Sequence, residues 1–175
     1  AEELQAVLFR DLLSVCTTTV SGTSTRKNNV KLSGEAVNGT VLNDGDIFDY
    51  NQVVGRRTTE NGYGPAPSYI NGETVDSIGG GICQTSSTLY LASLLANLEI
   101  VERYAHRYTP SYITMGMDAT VSWGGPEFRF RNNTGYPIRI DVSYENSEIT
   151  VSIYGTKIDD ITVKMTREIL SSTGY

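Results

Sequence analysis

Residues 79–98 have the sequence GGGICQTSSTLYLASLLANL, in which a glycine-rich turn leads directly into a helical pattern. Cys83 lies where the turn meets the helix. The side chains that recur at helical spacing after it are Ser87, Tyr90, Leu91, Leu94, Leu95 and Leu98. This spacing predicts an amphipathic helix that turns one apolar face to a core. Because the first turn of a buried helix is held in place, the Cys83 thiol should be held as well.

The start of a helix is a favourable place for a reactive thiol. Backbone N–H groups there lack intrahelical acceptors and form the positive end of the helix dipole, which lowers a cysteine pKa and favours the nucleophilic thiolate. The glycines have no side chains, so another chain could approach Cys83 closely. We therefore predict that Cys83 is a nucleophile and that the turn residues Gly81, Ile82 and Gln84 help to bind an oxyanion.

The only histidine, His106, is the candidate proton acceptor for that thiol. It follows an expected strand at residues 99–104. Papain-like and transglutaminase-like enzymes place a cysteine at a helix start and a base on the adjoining sheet, and the order of residues here permits the same arrangement. The residues leave a second interpretation open, in which Cys83 is a small buried hydrophobic side chain and His106 has a structural role.

Length and charge limit the classes of protein to which the chain can belong. Its 175 residues suffice for one domain with a substantial core, and its net charge of −6 argues against binding to nucleic acid or to an anionic membrane surface. No apolar run is long enough to cross a membrane, and no signal peptide is recognisable. Because the chain begins abruptly at Ala1, we expect a fragment whose export signal or anchor is missing. We also expect the protein to be a monomer.

Cys16 is the second of the two cysteines and offers an alternative role for Cys83. A Cys16–Cys83 disulfide would convert the nucleophile into a covalent cross-link. The β-branched surroundings of Cys16 favour a small half-buried thiol instead. One histidine and two distant cysteines do not form a zinc set, so we expect no metal ion and no other cofactor.

The N-terminal half combines helical patterns with a long irregular segment. Apolar spacing predicts a first helix over residues 2–14, an extended run over 16–20 and a second helix over 26–37. Gly34 lies inside the second helix, which indicates a close neighbour at that point. Residues 51–78 are rich in glycine, proline and asparagine, and they predict either the lining of a substrate groove or a solvated connection.

The C-terminal half predicts an antiparallel sheet. Runs of β-branched and aromatic residues separated by turn residues indicate strands at Glu99–Tyr104, Asp118–Trp123, Glu127–Arg131, Tyr136–Tyr144 and Glu148–Gly155. The expected fold class is α+β, with a few helices packed on an antiparallel β-sheet and the candidate nucleophile at a helix N-terminus. Residues 1–13 would form a lead-in helix, residues 14–155 the main domain, and residues 156–175 a final strand or a linker.

Segments on both sides of Cys83 match a known sequence pattern. The strongest match is IGGGICQTSSTLY at residues 78–90, followed by residues 98–103 and His106. Further matching segments are Asn38–Leu42, Gly45–Asn51, Val54–Thr58, Gly62-Tyr63, Gly116–Val121 and Phe130–Thr134. Over residues 14–155 the chain resembles the VanW domain of Gram-positive cell-envelope proteins, which is named after an accessory gene of vancomycin resistance.

The resemblance implies an L,D-transpeptidase, which forms peptidoglycan cross-links between the third residues of two stem peptides. Cys83 would attack the carbonyl before the terminal D-alanine and form a thioester, with release of D-alanine. His106 would take the thiol proton, and Asp118 would orient the imidazole. Backbone amides around Cys83, together with the Gln84 side chain, would hold the oxyanion.

The resemblance also implies where stem peptides would bind. The charged candidates for pairing with their carboxylates are Arg56, Arg57, Arg103 and Arg107, although solvated surface arginines are an alternative. Three aromatic residues could either line the groove or pack in the core or sheet: Tyr63, Tyr69 and Trp123. Donor and acceptor stem peptides are then the expected partners, in an extracellular or cell-wall location. Two other functions stay open: a non-catalytic module that binds cell wall or glycopeptide, and a cysteine carboxypeptidase that hydrolyses stem peptides.

Overall fold

The computed structural model describes residues 2–70 and 73–171. Its helices are α1 Glu2–Leu8, α2 Ser24–Val37, α3 Tyr50–Val54 and α4 Cys83–Leu95. Its strands are β1 Asp11–Thr19, β2 Thr40–Leu42, β3 Ile47–Asp49, β4 Pro65–Ile70, β5 Glu73–Ile78, β6 Glu99–Glu102, β7 Arg129–Arg131, β8 Ile138–Glu145 and β9 Glu148–Gly155. None of these described helices has the length and apolar composition needed to cross a membrane.

The strands pair in antiparallel fashion, which confirms the predicted α+β class. The largest sheet has four strands in the order β1-β9-β8-β2, with β1 and β9 paired from Asp11↔Gly155 to Thr19↔Glu148. A second sheet has the order β3-β7-β6, and β4 pairs with β5 as a hairpin. The first strand therefore lies beside the last one.

The core lies between the four-stranded sheet and helices α2 and α4. Fully buried side chains of β8 and β9 are Ile138, Ile140, Ile149, Val151 and Ile153. Leu89 and Ala92 of α4 are also fully buried in the core. A Cβ added to Gly34 of α2 would lie 3.1 Å from Val142 Cγ1 and 3.2 Å from Ile149 Cδ1. The close neighbour predicted at Gly34 is thus confirmed.

Two predictions for the N-terminal half are wrong. Residues 2–14 contain a short helix and then the start of β1, because the chain from Asp11 onward pairs with β9. The segment 51–78 is not a long irregular loop, since it contains the end of α3 and the β4–β5 hairpin. Its glycines and prolines indicated loops locally, whereas cross-strand pairing decides its structure.

Four of the five strands predicted for the C-terminal half are present, and Glu148–Gly155 has the predicted bounds. The fifth, Asp118–Trp123, is irregular and packs against α4 instead of pairing. Its Ala119 carbonyl accepts hydrogen bonds from the hydroxyls of Ser86 and Ser87 at 2.7 and 3.2 Å. Residues 156–171 have no regular secondary structure.

Helix α4 is buried, but not through the apolar face that the sequence predicted. The fully buried side chains of its first half are Gln84, Thr85, Ser86, Ser87 and Thr88. Those that are only half-buried are Tyr90, Leu91, Leu94 and Leu95. Hydroxyl pairs join the polar start to its neighbours, with Thr88 Oγ1 2.9 Å from Thr18 Oγ1 and Thr85 Oγ1 2.7 Å from Ser33 Oγ. Because each buried hydroxyl has a partner, a polar helix start is stable inside the protein.

Candidate active site

The turn before α4 brings Cys83 to the first position of the helix. Gly79 and Gly81 have φ angles of +82° and +99°, in the left-handed region that side chains rarely adopt. Gly80 faces the β4–β5 hairpin, where an added Cβ would overlap the carbonyl of Ala66. Glycine is therefore required at two positions by backbone conformation and at the third by close contact.

Gly80→Ala should destabilise the protein by about 3 kcal/mol, since the turn or β4 must move to make room for the methyl group. Gly39→Ala is a matched control: no described atom lies within 4 Å of its added Cβ, so only its φ of +81° opposes the change. That conformational cost is about 1 kcal/mol. Urea denaturation of the three proteins measures both values. Equal stability of the two variants would contradict the tight contact at Gly80.

The side chain of Gln84 is committed to the protein interior. Its Nε2 donates to Thr18 Oγ1 at 3.0 Å and to Thr19 O at 2.9 Å, and its Oε1 accepts from Arg26 Nη2 at 2.9 Å. Both amide hydrogens are thereby used. The prediction that this side chain binds an oxyanion is wrong, because it instead links the start of α4 to the end of β1.

Two backbone amides of the turn have no acceptor among the residues that the structure describes. The amides of Ile82 and Gln84 donate within the turn, to Gly79 O at 3.3 Å and to Gly81 O at 3.0 Å. Within residues 2–70 and 73–171, the amides of Gly81 and Cys83 have no such partner. Of the residues predicted for the oxyanion, Gly81 keeps a free N–H, and Cys83 adds a second one.

The Cys83 thiol contacts the irregular segment that follows Asp118. Its Sγ lies 3.4 Å from Val121 O and 3.8 Å from Thr120 Oγ1, and the residue is half-buried. Both cysteines are free, with Cys16 buried in β1. The alternative of a Cys16–Cys83 disulfide is therefore wrong, and Cys83 has a free thiol at the helix start.

Asp118 holds His106 through two hydrogen bonds. The backbone N of His106 donates to Asp118 Oδ2 at 2.7 Å, and Nδ1 of the imidazole lies 2.6 Å from the same oxygen. Arg103 contacts Asp118 Oδ1 at 3.3 Å and donates from Nε to the Asp118 carbonyl at 2.7 Å. Because the carboxylate occupies Nδ1, Nε2 is the nitrogen that is left to face a reacting group.

Electrostatic interactions couple the imidazole to the thiol. Burial opposes the thiolate, but interactions with His106, Val121 and Thr120 together outweigh it and hold the pKa of Cys83 below its usual value. Burial likewise opposes the imidazolium, while Cys83 and Asp118 raise the pKa of His106 above its usual value. The Asp118 pKa is lowered by His106 and Arg103 against the effect of burial. The three pKa shifts together favour the charged form of each group: a Cys83 thiolate, a His106 imidazolium and an Asp118 carboxylate.

The residues predicted to bind substrate divide into two groups. Arg56 and Arg57 lie beside the half-exposed Trp123, with guanidinium carbons 5.7 and 5.9 Å from the ring centroid. Tyr63 is only 5% exposed and packs in the core. Arg103 is engaged with the carboxylate described above and lies over an aromatic ring of α4. Neither Tyr63 nor Arg103 is placed to line a groove, which corrects the prediction for these two residues.

Arg26 and Tyr112 are neighbours of Cys83 that the sequence did not single out. Arg26 belongs to α2, and Tyr112 Oη lies 3.4 Å from Ser87 Oγ of α4. Both interact electrostatically with the Cys83 thiolate. No local signal marks them, since one belongs to a basic pair on a helix and the other to an irregular segment.

Acidic side chains elsewhere near the second sheet are paired with arginine. Asp49 and Glu102 each contact Arg129 at 2.6 Å. In the part of the chain that the structure describes, no three His, Cys, Asp or Glu side chains are grouped as metal ligands. The candidate active site thus consists of Cys83, His106 and the side chains and turn amides around them.

A family model described as VanW like protein matches residues 25–154 of this chain. The matched range contains the glycine turn, Cys83, His106 and Asp118. The chain belongs to the VanW family. The VanW match thus extends over α2, α4 and most of the strands, well beyond the cysteine turn.

Two named proteins are similar to this VanW-family chain. Over 138 residues it is 42% identical to "Uncharacterized protein YoaR" of Bacillus subtilis. This alignment covers 79% of this chain and 46% of the relative. Over 134 residues it is 28% identical to "Vancomycin B-type resistance protein VanW" of Enterococcus faecalis. That alignment covers 74% of this chain and 49% of the relative. The chain therefore spans about half the length of each relative. No solved structure matches it.

Proposed function

We propose that this VanW-family domain is a cysteine-dependent L,D-transpeptidase that links the third residues of peptidoglycan stem peptides. The observation that carries the proposal is the arrangement of Cys83, His106 and Asp118, in which Asp118 Oδ2 lies 2.6 Å from Nδ1 of the imidazole. The imidazole in turn lowers the pKa of the Cys83 thiol. A nucleophile, a base and a group that orients the base are the parts that covalent acyl transfer requires.

In the first half-reaction, the Cys83 thiolate attacks the carbonyl carbon that precedes the terminal D-alanine. A carbon–sulfur bond forms, and the carbonyl oxygen becomes an oxyanion that the amides of Gly81 and Cys83 bind. Protonated His106 gives its Nε2 proton to the leaving amine as the carbon–nitrogen bond breaks. D-Alanine leaves, and the peptide remains as a thioester on Cys83.

In the second half-reaction, the amine of an acceptor stem peptide attacks the thioester carbon. His106 Nε2 takes the proton of that amine, the carbon–sulfur bond breaks and the Cys83 thiolate is regained. Asp118 keeps Nδ1 protonated and stabilises the imidazolium, and Arg103 holds Asp118 in position. Water in place of the amine would give hydrolysis of the same bond.

Contacts on the surface support a polyanionic peptide as the substrate. Arg56 and Arg57 beside Trp123 form a cationic and aromatic surface that we propose binds stem-peptide carboxylates. The Enterococcus relative is named as a vancomycin resistance protein, which supports a substrate in the cell wall. We infer that the domain acts on the outer side of the cell.

The test is incubation of the wild-type protein with a stem tetrapeptide, followed by mass spectrometry. The expected products are a cross-linked dimer and free D-alanine. Tripeptide and D-alanine without dimer would identify a carboxypeptidase and contradict transfer. Peptide that binds but is recovered unchanged would contradict catalysis and leave a binding module as the function.

A further inference from the structure

The side chain of Arg26 lies in a space kept open by two glycines. A Cβ at Gly22 would lie 3.1 Å from Arg26 Cδ, and a Cβ at Gly81 would lie 2.7 Å from Cγ and 3.1 Å from Nε. Both glycines have left-handed φ angles, +102° and +99°. The backbone thus places Arg26 of α2 directly against the turn that carries Cys83. The contact is with Gly81, whose amide has no acceptor among the described residues.

Arg26 has no acidic partner within the described residues. Its Nη1 donates to Ser21 O at 2.8 Å and its Nη2 to Gln84 Oε1 at 2.9 Å, and it makes no ion pair. By contrast, Arg103 and Arg129 are paired with carboxylates. A guanidinium has five N–H donors, so three of those of Arg26 are not used by these two bonds.

We propose that Arg26 binds the terminal carboxylate of the acyl donor, so that the domain attacks only the last peptide bond of a stem peptide. This inference rests on the proposed function, because it assigns a place to the leaving D-alanine. A residue spans about 3.5 Å of extended chain, so a carboxylate one residue beyond the attacked carbonyl stays beside the Cys83 turn. A half-buried guanidinium without a carboxylate is a suitable partner for it.

Arg26 differs from Arg57 in its position relative to Cys83. Arg57 donates to Asn51 Oδ1 at 2.7 Å and to Gly55 O at 2.8 Å, and it lies on the Trp123 side. Arg26 contacts the glycine turn itself and interacts electrostatically with the Cys83 thiolate. We therefore assign the leaving-group side of the scissile bond to Arg26 and the rest of the donor to the Trp123 surface.

The test compares two donors, a stem tetrapeptide with a free C-terminal carboxylate and the same peptide as a C-terminal carboxamide. For the wild type, kcat/KM should favour the free acid by about 10- to 100-fold, the range expected from a charge-assisted hydrogen bond. Arg26→Gln should bring this ratio close to one by slowing the acid more than the carboxamide. Lys31→Gln removes a charge from the exposed side of the same helix, where Lys31 pairs with Glu35, and should keep the wild-type ratio.

An unchanged ratio in Arg26→Gln, or a wild type that does not distinguish acid from amide, would overturn the inference. If Arg26→Gln does not fold, Arg26→Lys is measured instead. An acid-to-carboxamide ratio of kcat/KM below the wild-type value supports the carboxylate contact, and an unchanged ratio overturns it. If the wild type turns over neither peptide, the proposed function fails separately. Calorimetric binding of both peptides to Cys83→Ala, with and without the Arg26 change, then decides whether Arg26 selects the carboxylate.

Discussion

Cys83→Ala is expected to lower kcat/KM for release of D-alanine from a stem tetrapeptide by at least about 10⁴-fold. The thiol is the atom that forms the acyl bond. The nearby Ser86 and Ser87 hydroxyls donate to Ala119 O and so do not replace it. The measurement is D-alanine release, with intact-protein mass spectrometry to detect the thioester in the wild type. A variant that still forms dimer at the wild-type rate would remove Cys83 from the mechanism.

Cys16→Ala is the matched control for that experiment. Burial raises the pKa of Cys16 to about 11, so its thiol is protonated at neutral pH. Cys16 lies in β1, and its side chain belongs to the hydrophobic core. The control should keep wild-type turnover and lose only the packing of one small side chain, which circular dichroism and a denaturation curve can check.

His106→Asn is expected to lower turnover by about 10³-fold, because both proton transfers at the scissile bond lose their carrier. It should also change the pH dependence of Cys83 alkylation. In the wild type, the imidazolium holds the thiol pKa below its usual value, so iodoacetamide should react below the pH range of an ordinary thiol. Without the imidazolium, the lowering by His106 is lost, so the thiol pKa should be higher than in the wild type. The alkylation profile should then move to higher pH.

Alkylation rates of the two proteins from pH 5 to 10 measure this shift, and the wild type should be the faster one at the acidic end. Cys83→Ala identifies any reaction at Cys16, which should be slow because that thiol is buried. An identical pH profile for the wild type and His106→Asn would mean that the imidazole does not stabilise the thiolate. In that case the proposed base would have to be replaced by another group.

Local sequence is enough to predict where the candidate nucleophile lies and which kind of element carries it. The three glycine positions have conformations or contacts that only glycine allows, and a helix pattern begins directly after them. The turn and α4 therefore follow from local chemistry. His106 could be identified because it is the only histidine. The final strand Glu148–Gly155 was predicted with its observed bounds because its alternation is regular.

Which side chains surround that thiol depends on how distant elements pack together. The burial of the polar start of α4, the use of Gln84 as an internal link and the approach of Arg26 depend on α2 and β1 packing against α4. Asp118 contacts His106 from an irregular segment that the sequence assigned to a strand. Such contacts join elements that are separate along the chain. Local patterns constrain backbone conformation, whereas packing chooses the partner of each polar group.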